Sequence, residues 1–208
     1  MNRIEADDRD VIRSHIEAAE TRTSAEFVTV IAQSADGYLF IPTLAAAVAT
    51  LFLSGVVLLF RDAFPITATE LYAGQVTLFA ILALVCRVPE IRYSLVPKNI
   101  RHTRASRLAH QMFIDLNLSE TEDRNAVLLF VALGERYVEV IADKGLQQKH
   151  GNSGAWDRIV ASFVQDVREG DVADGFARAI DGCADVMAEH FPNREGAPNR
   201  FPDRLIEI

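Results

Sequence analysis

The residues best suited to chemistry are a few acids that flank two apolar segments. Glu122 and Asp123 come just before the apolar run 126–132, and Asp143 directly follows the run 137–142. If both runs are strands, these acids lie at strand ends and form the nearest thing to a functional site in the chain. The alternative is that they are solvated turn residues.

The rest of the sequence carries no familiar catalytic motif. It has no glycine-rich phosphate loop, no His-Glu-x-x-His pattern and no cysteine pair at zinc spacing. Cys86 and Cys183 both fall in apolar patterns, which predicts small buried hydrophobes rather than a disulfide. The histidines are scattered and are expected at surfaces or helix ends: His15, His102, His110, His150 and His190.

Three segments are expected to be the strands that position these acids. Residues 26–32 and 137–142 are rich in β-branched and aromatic side chains, and 126–132 is continuously apolar, as in a strand buried on both faces. Residues 133–136 fit a tight hairpin. The strand at 26–32 needs a partner for its backbone groups, and 126–132 is the natural one.

Amphipathic helices are expected around these strands. Apolar residues recur at helical spacing in the segments 6–22, 102–116, 156–167 and 172–190. The tail from residue 191 contains three prolines and is expected to be extended, with 205–208 able to pair or pack at its end.

Two apolar runs in the middle of the chain predict membrane-spanning helices, near residues 38–60 and 66–86. A span needs about 20 mostly apolar residues, and 38–60 carries no formal charge. The second run is weaker, because it includes Glu70, which would lie at the interface or be protonated. The alternative for the first run is a helix buried in a protein core.

The charge pattern predicts the orientation of these spans. If 26–32 pairs with 126–132, both ends of the membrane segment lie on one side, which requires an even number of crossings. The acidic N-terminus does not resemble a signal peptide. Cations dominate after the second run (Arg87, Arg92, Lys98, Arg101, Arg104 and Arg107 against Glu90), whereas the loop between the runs holds Arg61 alone. The positive-inside rule places the basic side in the cytoplasm.

The basic run is expected to be attracted to anionic lipid headgroups. Binding to nucleic acid is the alternative for this run, but the net charge of −8 over the whole chain argues against it.

With the apolar runs removed, the sequence resembles the TPM domain family. The residues that carry the resemblance are the segments 25–31, 122–131, 135–145 and 163–175. The resemblance implies an α/β/α sandwich with a mixed central sheet, interrupted here by a two-helix transmembrane hairpin. We therefore expect four parts: 1–37 and 89–191 as the two pieces of the TPM-like domain, 38–88 as the hairpin, and 192–208 as a C-terminal tail.

The resemblance also bears on function. Family members include a plant thylakoid acid phosphatase, photosystem-repair factors and a receptor-associated protein, and some bind a calcium-like cation near the strand ends. This implies Asp123, Asn125 and Asp143 as ligands of Ca²⁺ or Mg²⁺. The family's Asp-Asn-Gly is replaced here by Asp-Arg-Asn-Ala, residues 123–126.

The leading hypothesis for function is a non-catalytic one. The protein is expected to sit in the bacterial inner membrane, in contact with the lipid bilayer, and to bind a partner protein or act as an assembly factor at the cytoplasmic face, with no role for nucleic acid. The alternative is a metal-dependent phosphatase.

Overall fold

The structure is a computed structural model that describes residues 6–60, 66–121, 123–150, 154–169, 171–193 and 205–208. The helices are α1 (Ala6–Glu20), α2 (Phe40–Leu59), α3 (Ala68–Val85), α4 (Pro89–Leu95), α5 (Lys98–Asp115), α6 (Lys144–His150), α7 (Ala155–Glu169) and α8 (Val172–His190). The strands are β1 (Phe27–Ala32), β2 (Val127–Ala132), β3 (Tyr137–Ala142) and β4 (Ile206–Glu207). The chain divides into two compact units, residues 1–35 with 103–208, and residues 36–102.

Within the described residues, the first unit is built on a four-stranded mixed sheet in the order β3-β2-β1-β4. Strand β1 runs parallel to both β2 and β4, and β2 runs antiparallel to β3. All six residues of β1 are paired with β2, from Phe27 opposite Val127 to Ala32 opposite Ala132. The expected partnership of 26–32 with 126–132 is confirmed.

Both faces of this sheet are covered by helices. Because successive strand residues point to opposite faces, Phe27 and Ile31 pack with α1, α7 and α8, whereas Val28 and Val30 pack with α5. The larger cluster includes Ile12, Ile16, Leu129, Phe163, Phe176, Ile180 and Met187. The smaller cluster includes Ala105, Ala109, Phe113, Leu118, Leu128 and Phe130. The fold is the expected α/β/α sandwich.

The chain end also joins this sheet. The backbone of Ile208 donates to the carbonyl of Ile31 and accepts from the N–H of Gln33, both at 2.9 Å. Two short helices, α4 and α6, were not expected from the sequence, because seven residues are too few to show a helical period.

The second unit contains α2 and α3, which are both long and apolar enough to cross a membrane by length and composition. Their mean hydropathy is 2.1 and 1.6, and large side chains such as Phe40, Phe52 and Leu59 are exposed. Glu70 lies in the first turn of α3, where it forms a capping box with Thr67. The Thr-x-x-Glu pattern is the sequence signal for this helix start.

The second unit extends beyond the two apolar helices. It includes α4 and ends within α5, between residues 102 and 103. The sequence predicts the corresponding boundary between residues 88 and 89.

Neighbouring residues of α5 give a test of the smaller cluster. Phe113 is 9% exposed and packs on the sheet, whereas Ile114 is 64% exposed. We expect Phe113→Ala to lower the free energy of unfolding by about 3–5 kcal/mol, through lost burial and the cavity left behind. Ile114→Ala is the matched control and should change it by less than about 0.5 kcal/mol. Urea unfolding of the full chain in detergent measures both, and equal effects would contradict the packing described.

Candidate functional site

The predicted site residues lie at the edge of the sheet where β2 begins and β3 ends. The antiparallel register sets Val127 opposite Ala142. The Asp143 N–H donates to the carbonyl of Ala126 at 2.9 Å. The sheet therefore brings the segment that contains Asn125 next to Asp143, while Glu122 lies outside the described residues.

Asp143 is buried at this edge, at 5% exposure. Its Oδ1 accepts a hydrogen bond from the backbone N–H of Lys144 at 2.7 Å. Its Oδ2 is buried and has no hydrogen-bond partner within the part of the chain that the structure describes. An unsatisfied buried carboxylate oxygen is costly, so Oδ2 marks a position suited to a cation.

Asn125 is also buried, at 5% exposure. It links the segments that precede β1 and β2. Its side-chain nitrogen donates to the carbonyl of Ser24 at 2.9 Å, and its backbone N–H donates to Thr121 Oγ1 at 3.2 Å. With the amide nitrogen engaged, the Oδ1 atom is the side-chain atom left to act as a metal ligand. Asn125 and Asp143 are thus buried rather than solvated, while Asp123 is exposed in the turn.

Gly145 is a site residue that sequence reasoning missed. A Cβ atom at this position would lie 2.4 Å from the carbonyl oxygen of Asp123 and 2.5 Å from that of Arg124. Arg124 itself has φ of 52°, a left-handed conformation that favours glycine or asparagine. Glycine at 145 therefore allows the turn 123–125 to lie against the start of α6. The available signal in the sequence was a glycine three residues after the end of a predicted strand.

These groups fit a hard cation in part. Carboxylate, amide and main-chain carbonyl oxygens are the ligand types that Ca²⁺ takes. Among the described residues, no group of three or more His, Cys, Asp or Glu side chains could hold a metal ion. A cation at this edge would therefore rely on Asn125 and on main-chain carbonyls in addition to carboxylates.

Neither cysteine is placed for nucleophilic chemistry. Both are buried, Cys86 in the second unit and Cys183 within α8 in the first. Burial raises the pKa of the Cys183 thiol far above its usual range, so the thiol stays protonated. Both cysteines are the small buried hydrophobes that the sequence predicted.

Comparison with known proteins is informative about the family and the fold. Residues 89–186 match the TPM domain. The chain contains a TPM domain. The matched segment includes α5, β2, β3, α7 and most of α8. Strands β1 and β4, which lie outside it, belong to the same sheet.

A solved structure shares this fold at low sequence identity. The NMR structure of the BA42 protein from the psychrophilic bacterium Bizionia argentinensis aligns with a TM-score of 0.60 and 14% identity, over 99% of this chain and 96% of that one. No curated protein matches the chain.

A second buried carboxylate lies at the opposite end of the sheet in the TPM domain. Glu135, in the β2–β3 hairpin, is 1% exposed. Its Oε1 accepts from the N–H of Ala35 at 3.0 Å and from the Ser34 hydroxyl at 3.3 Å. Its Oε2 is buried with no hydrogen-bond partner among the residues described. Glu135 thus ties the hairpin to the segment that leaves β1, a role that a single acid in a turn does not reveal in sequence.

The close approach at Gly145 can be tested by adding one methyl group. We expect Gly145→Ala to destabilise the TPM domain by about 1–3 kcal/mol or more, because the new Cβ meets two backbone carbonyl oxygens that can move only with the turn. Gly37→Ala is the control, since a Cβ there meets nothing within 4 Å. Thermal unfolding followed by circular dichroism compares the two, and a neutral Gly145→Ala variant would show that the turn is not held against α6.

Proposed function

We propose that this protein is a membrane-anchored TPM domain protein that binds a partner protein at the cytoplasmic face of the bacterial inner membrane. The observation that carries the proposal is the pairing of β1 with β2. These strands flank α2 and α3 in the chain and are paired over their full length in one sheet. Any crossing made by the first helix must therefore be reversed before β2 begins.

The two helices have the properties that such a double crossing needs. A helix of 20 residues such as α2 is about 30 Å long, the thickness of a bilayer's hydrocarbon core. Helix α3 has 18 residues, and no side chain along it is buried. Exposed apolar surface on this scale is unfavourable in water and favourable in lipid. The alternative of a buried core helix fits poorly, because only 17% of the apolar stretch of α2 is buried.

The orientation follows from charge. Four cations and one acid, Glu90, lie between residues 87 and 101. The sequence between the two helices contains a single cation, Arg61. Positive charge is retained on the cytoplasmic side, so the TPM domain lies in the cytoplasm. Partner binding is proposed as its role because the sequence has clear helix and strand patterns but no known catalytic motif.

This arrangement predicts the location of three reporter fusions. Reporters placed after residue 35, within 61–65 and after residue 200 should give cytoplasmic, external and cytoplasmic signals, because the two strands of one sheet cannot be on opposite sides of a membrane. Paired alkaline phosphatase and green fluorescent protein fusions measure this. An external signal after residue 200 would overturn the proposal, and cytoplasmic signals at all three positions would remove the membrane crossing.

A metal-dependent phosphatase is the second candidate. The observation that favours it is the buried Oδ2 of Asp143, which has no hydrogen-bond partner among the described residues and lies near a turn whose carbonyl oxygens closely approach Gly145. Asp143 and Asn125 would hold Ca²⁺ or Mg²⁺ together with Asp123. A cation bound there would stabilise the phosphoryl oxygens of a substrate.

The second candidate predicts metal binding that depends on Asp143. Calorimetric titration with CaCl₂ and with MgCl₂ should show binding that Asp143→Asn weakens by at least about tenfold, since a ligand charge is lost. Asp157→Asn, on the exposed face of α7, is the control that removes the same charge elsewhere. Hydrolysis of p-nitrophenyl phosphate, measured alongside, should be metal-stimulated and lost in Asp143→Asn. Absence of both binding and turnover would remove this candidate.

A further inference from the structure

The second unit gathers aromatic and basic residues at one end of its helical pair. The Sγ atom of Cys86, just after α3, lies 3.8 Å from the carbonyl oxygen of Pro42 in the first turn of α2. The start of α2 and the end of α3 are therefore neighbours, and α4 contacts α2. The segments that immediately precede α2 and follow α3 thus meet at the same end of the hairpin.

A tyrosine pair joins these segments. The rings of Tyr38 and Tyr93 meet edge to face, with centroids 5.8 Å apart. The Tyr38 hydroxyl donates to the carbonyl oxygen of Arg101 at 3.5 Å. Tyr38, two residues before α2, therefore contacts both the α4 helix and the first turn of α5. Tyrosine is favoured at the level of lipid headgroups.

Two arginines beside this pair have buried nitrogens in need of acceptors. The Nε atoms of Arg92 and Arg101 are buried, and neither has a hydrogen-bond partner among the residues that the structure describes. The guanidinium of Arg92 lies over the ring of Tyr93, with its carbon 5.2 Å from the centroid. A guanidinium presents a planar fork of donors that matches a phosphate group.

The charged residues around these arginines are also mainly positive. The pKa of His102 is lowered, first by burial and then by the positive charges of Lys98 and Arg101. Glu90 is the only acid in the sequence between residues 87 and 102. This end of the hairpin therefore attracts an anion.

An apolar surface accompanies these cations. Val88, Ile91 and Leu95 are exposed and follow helical spacing along α4. A short helix with exposed apolar side chains next to arginine suits the boundary between headgroups and acyl chains. A free phosphate ion would make no contact with the apolar face. A nucleic acid is disfavoured by the net charge of −8 over the whole chain.

We propose that α4 and the first turn of α5 form a binding site for an anionic phospholipid, with Arg92 and Arg101 on the headgroup phosphate and Val88, Ile91 and Leu95 on the acyl chains. This site rests on the membrane anchoring proposed above. It assigns the basic run a specific ligand, a phosphodiester lipid such as phosphatidylglycerol, held by two guanidinium groups rather than by diffuse attraction alone.

The test measures lipid retention by the full chain. Protein reconstituted in vesicles of equal parts phosphatidylcholine and phosphatidylglycerol is extracted in mild detergent, and co-purifying lipid is measured by native mass spectrometry. We expect phosphatidylglycerol to be retained selectively. The double variant Arg92→Gln/Arg101→Gln should retain it about thirtyfold less, because each cation near an anionic lipid surface contributes about 1 kcal/mol and 1.4 kcal/mol is a factor of ten.

The control removes the same charge elsewhere. Arg87→Gln/Arg107→Gln changes two exposed arginines of the same basic run and should retain several-fold more phosphatidylglycerol than Arg92→Gln/Arg101→Gln does. Equal loss in both double variants would overturn the site, as would retention that is unchanged in Arg92→Gln/Arg101→Gln. Displacement of phosphatidylglycerol by inorganic phosphate at comparable concentration would also overturn it, because the site would then take a free anion. Carbonate extraction of the same vesicles reports insertion separately, so loss of anchoring is distinguishable from loss of the lipid site.

Discussion

The pairing of β1 with β2 is the constraint on which the rest of this protein depends. Partner residues in the two strands are 100 positions apart in the chain, as with Phe27 and Val127. Parallel strands cannot be joined by a tight turn, so a long connection is required, and here that connection contains both apolar helices. The hydrogen bonds of the ladder satisfy the backbone of β1, which is buried along its whole length. The same bonds oblige the intervening chain to return to the side from which it left.

Coverage of the sheet differs between its two faces. One face is packed by α1, α7 and α8, while the other is packed chiefly by α5, through the small residues Ala105 and Ala109 and the ring of Phe113. Between these layers, the buried carboxylates lie at opposite ends of the strands. Glu135 holds the segment after β1, from which the chain continues to α2. Asp143 and Asn125 lie at the other end, where β2 begins.

Each end of the sheet thus holds one buried carboxylate. The end that leads to α2 is closed by hydrogen bonds to Glu135, which favours a structural role there. Among the described residues, each end holds a buried carboxylate oxygen without a hydrogen-bond partner and a left-handed turn residue, Arg136 beside Glu135 and Arg124 beside Asn125. The end with Asp143 differs in the close approach of Gly145 to the carbonyl oxygens of Asp123 and Arg124. Strained turns and unsatisfied buried groups collect at functional sites. Since both ends have such features, the candidate cation site at Asp143 rests on the Asn125 side chain and the carbonyl oxygens of the turn 123–125 beside it.

The sequence by itself determined the elements whose patterns are long or unambiguous. The strands at 27–32, 127–132 and 137–142, the amphipathic helices and the two apolar helices follow from local composition and period, which need no knowledge of distant residues. The order of the segments that resemble the TPM family could also be recognised from the sequence. Only the tertiary structure decided the burial of Asn125 and Asp143, the contact of Gly145 with the turn 123–125, the role of Glu135, and the meeting of Tyr38 with Tyr93. Each of these depends on which backbone groups distant segments bring together, and a side chain's partners across a sheet leave no local period in the sequence.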